Sequence, residues 1–359
     1  MKGFVIRRGL DSTFLIIIAI LFNFFLFRMM PGDPTIALLG RETQLRAELQ
    51  EEIRREYGLD KSLQQQFIIY LPKLTKGDLG ISTDSKKPVV DELFSYKLFN
   101  TVALMGTSIV LSFILALVLG TIAASKFKSK TDLGSIFVTL TVYSTPVFWI
   151  GMLVLWIFFE RWNKLFGEPL IPITASGTNY ELIGQREGFE ISRLFGNELR
   201  LNTEIFGLKI GPIAFSMDWF QDYIWHMIGP VFALTLSFVG GWFLIARDQL
   251  LGIFTEDYMM TARAKGLKSQ RVLFVHARKN AMLPMVSVFA LAMTYLVTGA
   301  ALTETVFTWD GLGLLTVLAV TQRDYPLLQG LFLLAAVVAI FSNFIADVMY
   351  AYLDPRIRY

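Results

Sequence analysis

The sequence predicts an all-α integral membrane protein with about six transmembrane helices. A sizeable extracytoplasmic segment is expected between the first two spans, and a short cytoplasmic helix between the fourth and fifth. Three observations carry the prediction. Apolar residues gather into runs of membrane-spanning length. Charged residues make up only 18% of the 359 residues, against 54% hydrophobic, where soluble domains carry about 25% charged. Lys and Arg concentrate in alternate segments between the runs. The mean hydropathy is +0.51.

A bilayer core of ~30 Å needs roughly 20 apolar residues in helical form. Stretches of that kind lie at about 12–29, 101–124, 134–159, 229–246, 283–303 and 327–350. The first holds Leu15, Ile16, Ile17, Ile18, Leu21, Phe22, Phe24 and Phe25. It is longer than the 7–15 residues of a signal-peptide core and no A-x-A site follows, so it reads as an uncleaved span. The start of the fourth is blurred by Trp219, Phe220, Trp225 and Met227, which fit an interfacial aromatic belt.

The basic residues set the orientation. Lys2, Arg7 and Arg8 precede the first span, and Lys126, Lys128 and Lys130 separate the second and third. Arg247, Arg263, Lys265, Lys268, Arg271, Arg278 and Lys279 separate the fourth and fifth, and Arg356 and Arg358 follow the sixth. With six spans all four segments share one side, which predicts a multi-pass protein with both termini cytoplasmic. The opposite side receives 30–100, 160–228 and 304–326; the first of these has ten Lys/Arg against eleven Asp/Glu and no inside bias. The organisation is therefore an N-terminus and first span (1–29), an extracytoplasmic subdomain (30–100), a transmembrane core (101–350) and a short cytoplasmic C-terminus (351–359). The core carries an outer insertion at about 160–228 and an inner loop at about 247–282.

Composition also excludes. There is no cysteine, hence no disulfide framework and no thiolate metal site. His226 and His276 are the only histidines, too few to suggest a zinc centre. A net charge of +3 gives no reason to expect nucleic acid; membrane lipid is the expected surrounding.

The loops have pattern. Leu45, Leu49, Ile53 and Tyr57 recur at helical spacing, with Gly58 as a stop. Leu63, Phe67, Tyr70, Leu71 and Leu74 predict a second short helix ending near Gly77. The 160–228 segment is rich in Gly, Pro and polar residues, and its secondary structure stays open. The inner loop contains Glu256-Asp257-Tyr258-Met259-Met260-Thr261-Ala262-Arg263-Ala264-Lys265-Gly266. Acids at its start and basics at its end match a helix dipole. Ala262 and Ala264 permit close approach of another surface, and Gly266 suits a left-handed helix end. Two readings remain: a short amphipathic helix at the membrane face, or an ordinary solvated loop.

The run Thr261-Ala262-Arg263-Ala264-Lys265-Gly266-Leu267, followed by His276-Ala277, Asn280-Ala281 and Leu283-Pro284, resembles the cytoplasmic loop of ABC importer permeases in its peptide-importer form. Arg7-Arg8 and Pro31-Gly32-Asp33-Pro34 look like the start of the B-type permease of dipeptide, oligopeptide and nickel importers. Tyr57-Gly58-Leu59-Asp60-Lys61, Gly77-Asp78-Leu79-Gly80, Thr145-Pro146-Val147-Phe148-Trp149, Glu304-Thr305-Val306-Phe307, Gly311-Leu312-Gly313, Arg323-Asp324-Tyr325-Pro326 and Leu353-Asp354-Pro355-Arg356-Ile357-Arg358 follow in the family's order. Two features depart from it: Asp310 stands where the family usually has proline, and residues about 175–215 are longer than in its shorter members.

The resemblance implies a transmembrane subunit of an ATP-driven importer of the prokaryotic inner membrane. It would pair with a homologous C-type permease, two cytoplasmic ABC ATPase subunits and an extracytoplasmic solute-binding protein. The cargo would be di- or oligopeptides, or, in relatives of the same architecture, oligosaccharides or nickel chelates. It further implies that Glu256, Asp257, Tyr258, Thr261, Ala262, Arg263, Ala264, Lys265 and Gly266 form the coupling helix that an ATPase subunit receives. The residues agree on the division of labour: no G-x-x-x-x-G-K-[ST] loop is present, so ATP and Mg would be held by the partner subunits and the chain is not itself an enzyme. Two other classes fit less well. A secondary transporter needs ionisable groups within its spans, and Arg28 and Asp347 read as interfacial, while Asn23 and Asn343 suit interhelical hydrogen bonds. An intramembrane enzyme lacks both H-E-x-x-H and G-x-S-x-G.

Overall fold

The structure, a computed structural model, describes residues 2–29, 61–166, 203–205, 208–210, 217–267, 271–272 and 277–353. The helix expected over 45–57, the Pro31–Pro34 motif and the C-terminal motif beyond Leu353 lie outside the described residues. Helices α1 (Lys2–Met29), α4 (Tyr96–Ser125), α8 (Met217–Phe254) and α14 (Tyr325–Leu353) are the long ones. Between the first two lie α2 (Leu63–Thr75) and α3 (Val89–Leu93). Helices α5 (Lys130–Ser144) and α6 (Val147–Val154) continue through a π-helical stretch, Leu155–Arg161, into α7 (Trp162–Phe166). After α8 come α9 (Asp257–Ala264), α10 (Arg278–Ala292), α11 (Tyr295–Thr298), α12 (Ala301–Val306) and α13 (Leu312–Gln322). A small antiparallel ribbon, β1 (Thr203–Ile205) with β2 (Leu208–Ile210), pairs Glu204 with Lys209 in the segment expected as the outer insertion.

Among the described residues, four helices are long and apolar enough to cross a membrane: Gly3–Met29, Val89–Ser125, Asp222–Phe254 and Tyr325–Met349. They contain the first, second, fourth and sixth expected spans. The other two expected spans are not continuous. The third is a pair, α5 and α6–α7, bent by 99°. Pro146 is the reason: it lacks an N–H and disfavours helix at the residue before it, and Thr145 is extended (ψ 129). The fifth, 283–303, is divided between α10, α11 and α12, and its apolar helical part, Val288–Val297, is short. There Gly299 takes φ 69, a conformation that L side chains avoid, and ends α11.

Small residues let the long helices touch. A Cβ on Gly120 of α4 would lie 2.8 Å from Ala246 Cβ of α8, so only glycine allows this approach; close seams of this kind drive helix association in lipid. Ser108 and Ser112 on the same face donate to the carbonyls of Leu104 (2.7 Å) and Ser108 (2.6 Å), so their hydroxyls are satisfied although buried. At α5, a Cβ on Gly240 would lie 2.5 Å from Tyr143 Cβ and 2.6 Å from the Thr139 carbonyl. Asn23 Nδ2 of α1 donates to the Gln329 carbonyl of α14 at 2.9 Å, the interhelical role expected of it, and Arg8 pairs with Asp347 at 3.4 Å.

The segment between α1 and α4 is tied to the ends of the late helices. Helix α2 begins at Ser62, whose hydroxyl accepts from Gln65 N–H in a capping box, and Phe67 and Tyr70 pack on Phe24 of α1 at 5.1 and 5.3 Å between ring centroids. Gly77, at φ 76, follows its end. Val89 and Leu93 of α3 are buried with Leu312, Leu315, Leu327 and Leu331 of α13 and α14. Asp324 accepts from Ser82 Oγ at 2.5 Å and from Leu327 N–H at 3.1 Å, capping α14 while holding the outer segment.

Candidate functional site

The loop after α8, expected on the inner side, is built on the end of that helix. At 1.5 Å per residue its 38 residues run about 57 Å, well beyond a ~30 Å hydrocarbon core. Its last turns therefore project past the apolar stretch. The chain then reverses: Thr255 N–H and Glu256 N–H donate to Gly252 and Ile253 carbonyls at 3.2 and 3.1 Å. Helix α9 starts at Asp257, where an acid suits the helix N-terminus. It ends at Ala264, and Gly266 follows at φ 73, the left-handed stop that the sequence predicts.

Helix α9 rests on a small apolar platform. Met259 is fully buried, and with Ala262 it packs among Ala124, Leu250, Val272, Ala277 and Ala281. Those residues come from the ends of α4 and α8, from the 271–272 stretch and from the start of α10, so four parts of the chain fix the helix. Eight residues make little more than two turns, too few to be stable in water alone; burial of Met259 on this platform supplies what the helix lacks. The opposite face is open. Met260 is 59% exposed, and Glu256, Asp257, Thr261, Ala264, Lys265 and Gly266 are exposed with it. Tyr258 is partly so. Of Arg263 only the backbone is described.

Ala262 differs from expectation. The sequence suggests that it meets another surface together with Ala264, yet it is only 7% exposed and faces the platform. Ala264 follows Ala262 by two residues, about 200° of rotation on a helix, so the two alanines cannot share a face. Ala264 keeps the outward position. Met260 is the residue that sequence reasoning passed over. The available signal was the pair Met259-Met260 on an amphipathic turn, one of which must face out.

A second feature braces the platform. Asp132, at the start of α5, is 1% exposed and receives Arg247 of α8 in a two-pronged ion pair, Nε to Oδ1 at 2.7 Å and Nη2 to Oδ2 at 2.9 Å. It also accepts Lys128 N–H at 2.9 Å, and the Arg247 guanidinium lies 5.6 Å from the Phe127 ring centroid. The pair thus joins the α4–α5 turn to the end of α8, two segments expected on one side of the membrane. No group of His, Asp and Glu suited to a metal ion occurs among the described residues.

Comparison with known proteins adds a family to this geometry. Residues 116–359 match the family described as the binding-protein-dependent transport system inner membrane component. Residues 1–105 match the N-terminal family of the same membrane components. The chain is 35% identical to the dipeptide transport system permease protein DppB of Escherichia coli (strain K12), over all of this chain and 99% of that protein. It is 31% identical to the oligopeptide transport system permease protein AppB of Bacillus subtilis (strain 168), over the whole of both. It is likewise 31% identical to the glutathione transport system permease protein GsiC of Escherichia coli O6:H1, again over both full lengths.

Proposed function

The chain belongs to the family of binding-protein-dependent transport system inner membrane components, and on that premise we propose that it is the transmembrane subunit of an ABC importer for di- or oligopeptides, driven through α9 by a partner ATPase. The observation that carries the coupling role is the presentation of α9. An eight-residue helix is fixed from beneath by Met259 and Ala262 and offers Met260, Thr261 and Ala264 outward. A helix held on a rigid platform at the end of a long spanning helix suits the transfer of rigid-body motion. The peptide cargo rests on full-length similarity to dipeptide and oligopeptide permeases.

In this reading both termini are cytoplasmic, a homologous permease completes the pathway, two ATPase subunits bind ATP and Mg, and a solute-binding protein delivers the peptide. The pairing of Asp132 with Arg247 on one side, and of Asp324 with Ser82 on the other, supports that threading, because each joins segments that it places together. The test compares Ala264→Glu with wild type in the assembled importer. Helix insertion and melting should be unchanged, since Ala264 is exposed, while ATPase co-purification and peptide uptake should both fall. Normal ATPase association with normal uptake would show that α9 is a solvated loop.

A further inference from the structure

We propose that Asp132 and Arg247 are positioning residues for transport: they fasten α5 to α8 so that motion received at α9 turns both helices as one lever about the Pro146 bend. The inference rests on the coupling role proposed for α9. Three observations lead to it. First, α5 is held to α8 near both of its ends. At its start is the buried Asp132–Arg247 pair, with bonds of 2.7 and 2.9 Å. Toward its finish, Thr139 and Tyr143 sit against Gly240, where no Cβ fits, and the Tyr143 ring covers Gly241. Second, the covalent path out of α5 breaks at once. Thr145 is extended, Pro146 caps the next helix, and the axis turns by 99°. Third, beyond the bend a further partner joins. Ile150 and Val154 of α6 pack with Ala233 of α8 and also with Phe307, next to α12, and a Cβ on Gly151 would lie 3.1 Å from the Phe307 ring.

A body joined at two points moves with what it is joined to. Helix α5 therefore follows α8, whose last turn leads directly into α9. Helix α6 is shared between α8 and the turn at Phe307, so the load divides at the bend. Proline breaks are where helices bend, and hinge closure absorbs its change at a few such residues. Arg247 suits the task because its planar guanidinium grips both carboxylate oxygens, which lysine cannot do. The pair is nearly closed to solvent, its side chains 12% and 1% exposed. Its effect is on the relation between ATP turnover and transport.

The experiment uses the complete importer, with its partner permease, ATPases and binding protein, in proteoliposomes. Arg247→Lys, Asp132→Asn and the uncharged double variant Asp132→Leu/Arg247→Met are compared with wild type; the double variant leaves no buried charge unpaired and so keeps the fold. Three quantities are read: ATPase association, ATP hydrolysed, and peptide taken up per ATP. Association should stay normal and hydrolysis within about twofold, while uptake per ATP falls by about tenfold in the double variant, the factor equivalent to 1.4 kcal/mol. Unchanged uptake per ATP in the assembled double variant overturns the proposal. Loss of ATPase association in step with uptake also overturns it, because the pair would then only shape the docking surface. Failure of the α9 reading shows separately, as normal association and uptake in Ala264→Glu.

Discussion

Glu304 Oε2 accepts a hydrogen bond from the backbone N–H of Leu314 at 3.0 Å, so a fully buried carboxylate of α12 caps the N-terminus of α13. Its other oxygen accepts from Thr101 Oγ1 of α4 at 3.0 Å, and the same hydroxyl accepts Leu312 N–H at 2.7 Å. Three elements meet at one side chain, and two orphan donors of a helix start are satisfied. The glycines of Gly311-Leu312-Gly313 make room for it. A Cβ on Gly313 would lie 2.8 Å from both Glu304 Oε2 and Ala301 Cα.

Glu304→Ala and Gly313→Ala should therefore each destabilise the junction of α4, α12 and α13. The first leaves buried donors unpaired, at about 1–3 kcal/mol. The second forces atoms apart, at about 1–3 kcal/mol. Both should lower the melting temperature of the purified protein in detergent. Because both act on one contact, their effects should add to less than the sum in the double variant. Full additivity would show that the carboxylate and the glycine serve separate ends.

Gly266 offers a cleaner separation of causes. Its φ is 73, yet nothing lies within 4 Å of where a Cβ would stand. Any penalty is thus backbone strain, of order 1–3 kcal/mol for a residue that avoids this region. Gly266→Val should fray the end of α9 and weaken ATPase association, while Gly266→Asn, which tolerates the left-handed region, should retain it. Pull-down of the ATPase at matched membrane expression reads the difference. Equal behaviour of the two variants would mean that the turn plays no part.

Ala262 and Ala264 make a complementary pair. Ala262→Glu places a carboxylate among Leu250, Met259 and Val272, where an unpaired charge is costly. It should lower the melting temperature as well as uptake. Ala264→Glu, on the open face, should leave melting unchanged. Thermal unfolding of both variants beside uptake separates a broken platform from a blocked surface; a stable Ala262→Glu protein would contradict the inward placement.

The membrane sidedness can be read chemically because the chain has no cysteine. Lys130→Cys, at the first residue of α5, should resist an impermeant thiol reagent in intact cells and react in inverted vesicles. Lys76→Cys, beyond α2, should do the reverse. Both positions are exposed, so burial does not confound the result. Labelling of residue 130 from outside rejects the cytoplasmic placement of that helix start.

How much of this was legible in the sequence depended on the range of the interaction. The long apolar runs fixed α1, α4, α8 and α14, because lipid leaves a chain no other way to satisfy its backbone. Gly266 and the Leu63–Thr75 helix were local signals and were read correctly. The broken spans were not, although Pro146 was in view. Proline alone does not decide the matter: Pro230 lies inside the continuous α8, since neighbouring helices can satisfy a freed carbonyl. The Asp132–Arg247 pair spans 115 residues, and no spacing announces it. The inward face of Ala262 was set by a platform assembled from α4, α8 and α10, which a window of ten residues cannot show.

Asp310 is where this chain departs from the proline usual in the family it resembles, and the structure gives the aspartate a task. Lys97 Nζ donates to Asp310 Oδ1 at 2.6 Å, and Tyr96 donates its hydroxyl to the other oxygen. Asn100 Nδ2 reaches the Asp310 carbonyl at 2.8 Å, and the next residue back, Trp309, donates its indole N–H to the Asn100 carbonyl at 3.1 Å. The first turn of α4 therefore holds the turn between α12 and α13 through four hydrogen bonds, two of which need the carboxylate. Lys97 is only 15% exposed at its side chain, so removing its partner strands a charge in a poorly solvated place. Asp310→Ala and Asp310→Pro should each cost about 1.5–3 kcal/mol, the worth of hydrogen bonds to charged groups. The contacts of Asn100 and Trp309 would survive in the alanine variant. Lys97→Met added to Asp310→Ala should recover most of the loss, because removing both charges is far cheaper than removing one. Thermal unfolding of the two single variants and the double one closes the cycle. If Lys97→Met brings no recovery, the aspartate acts through its backbone conformation and the ion pair is incidental.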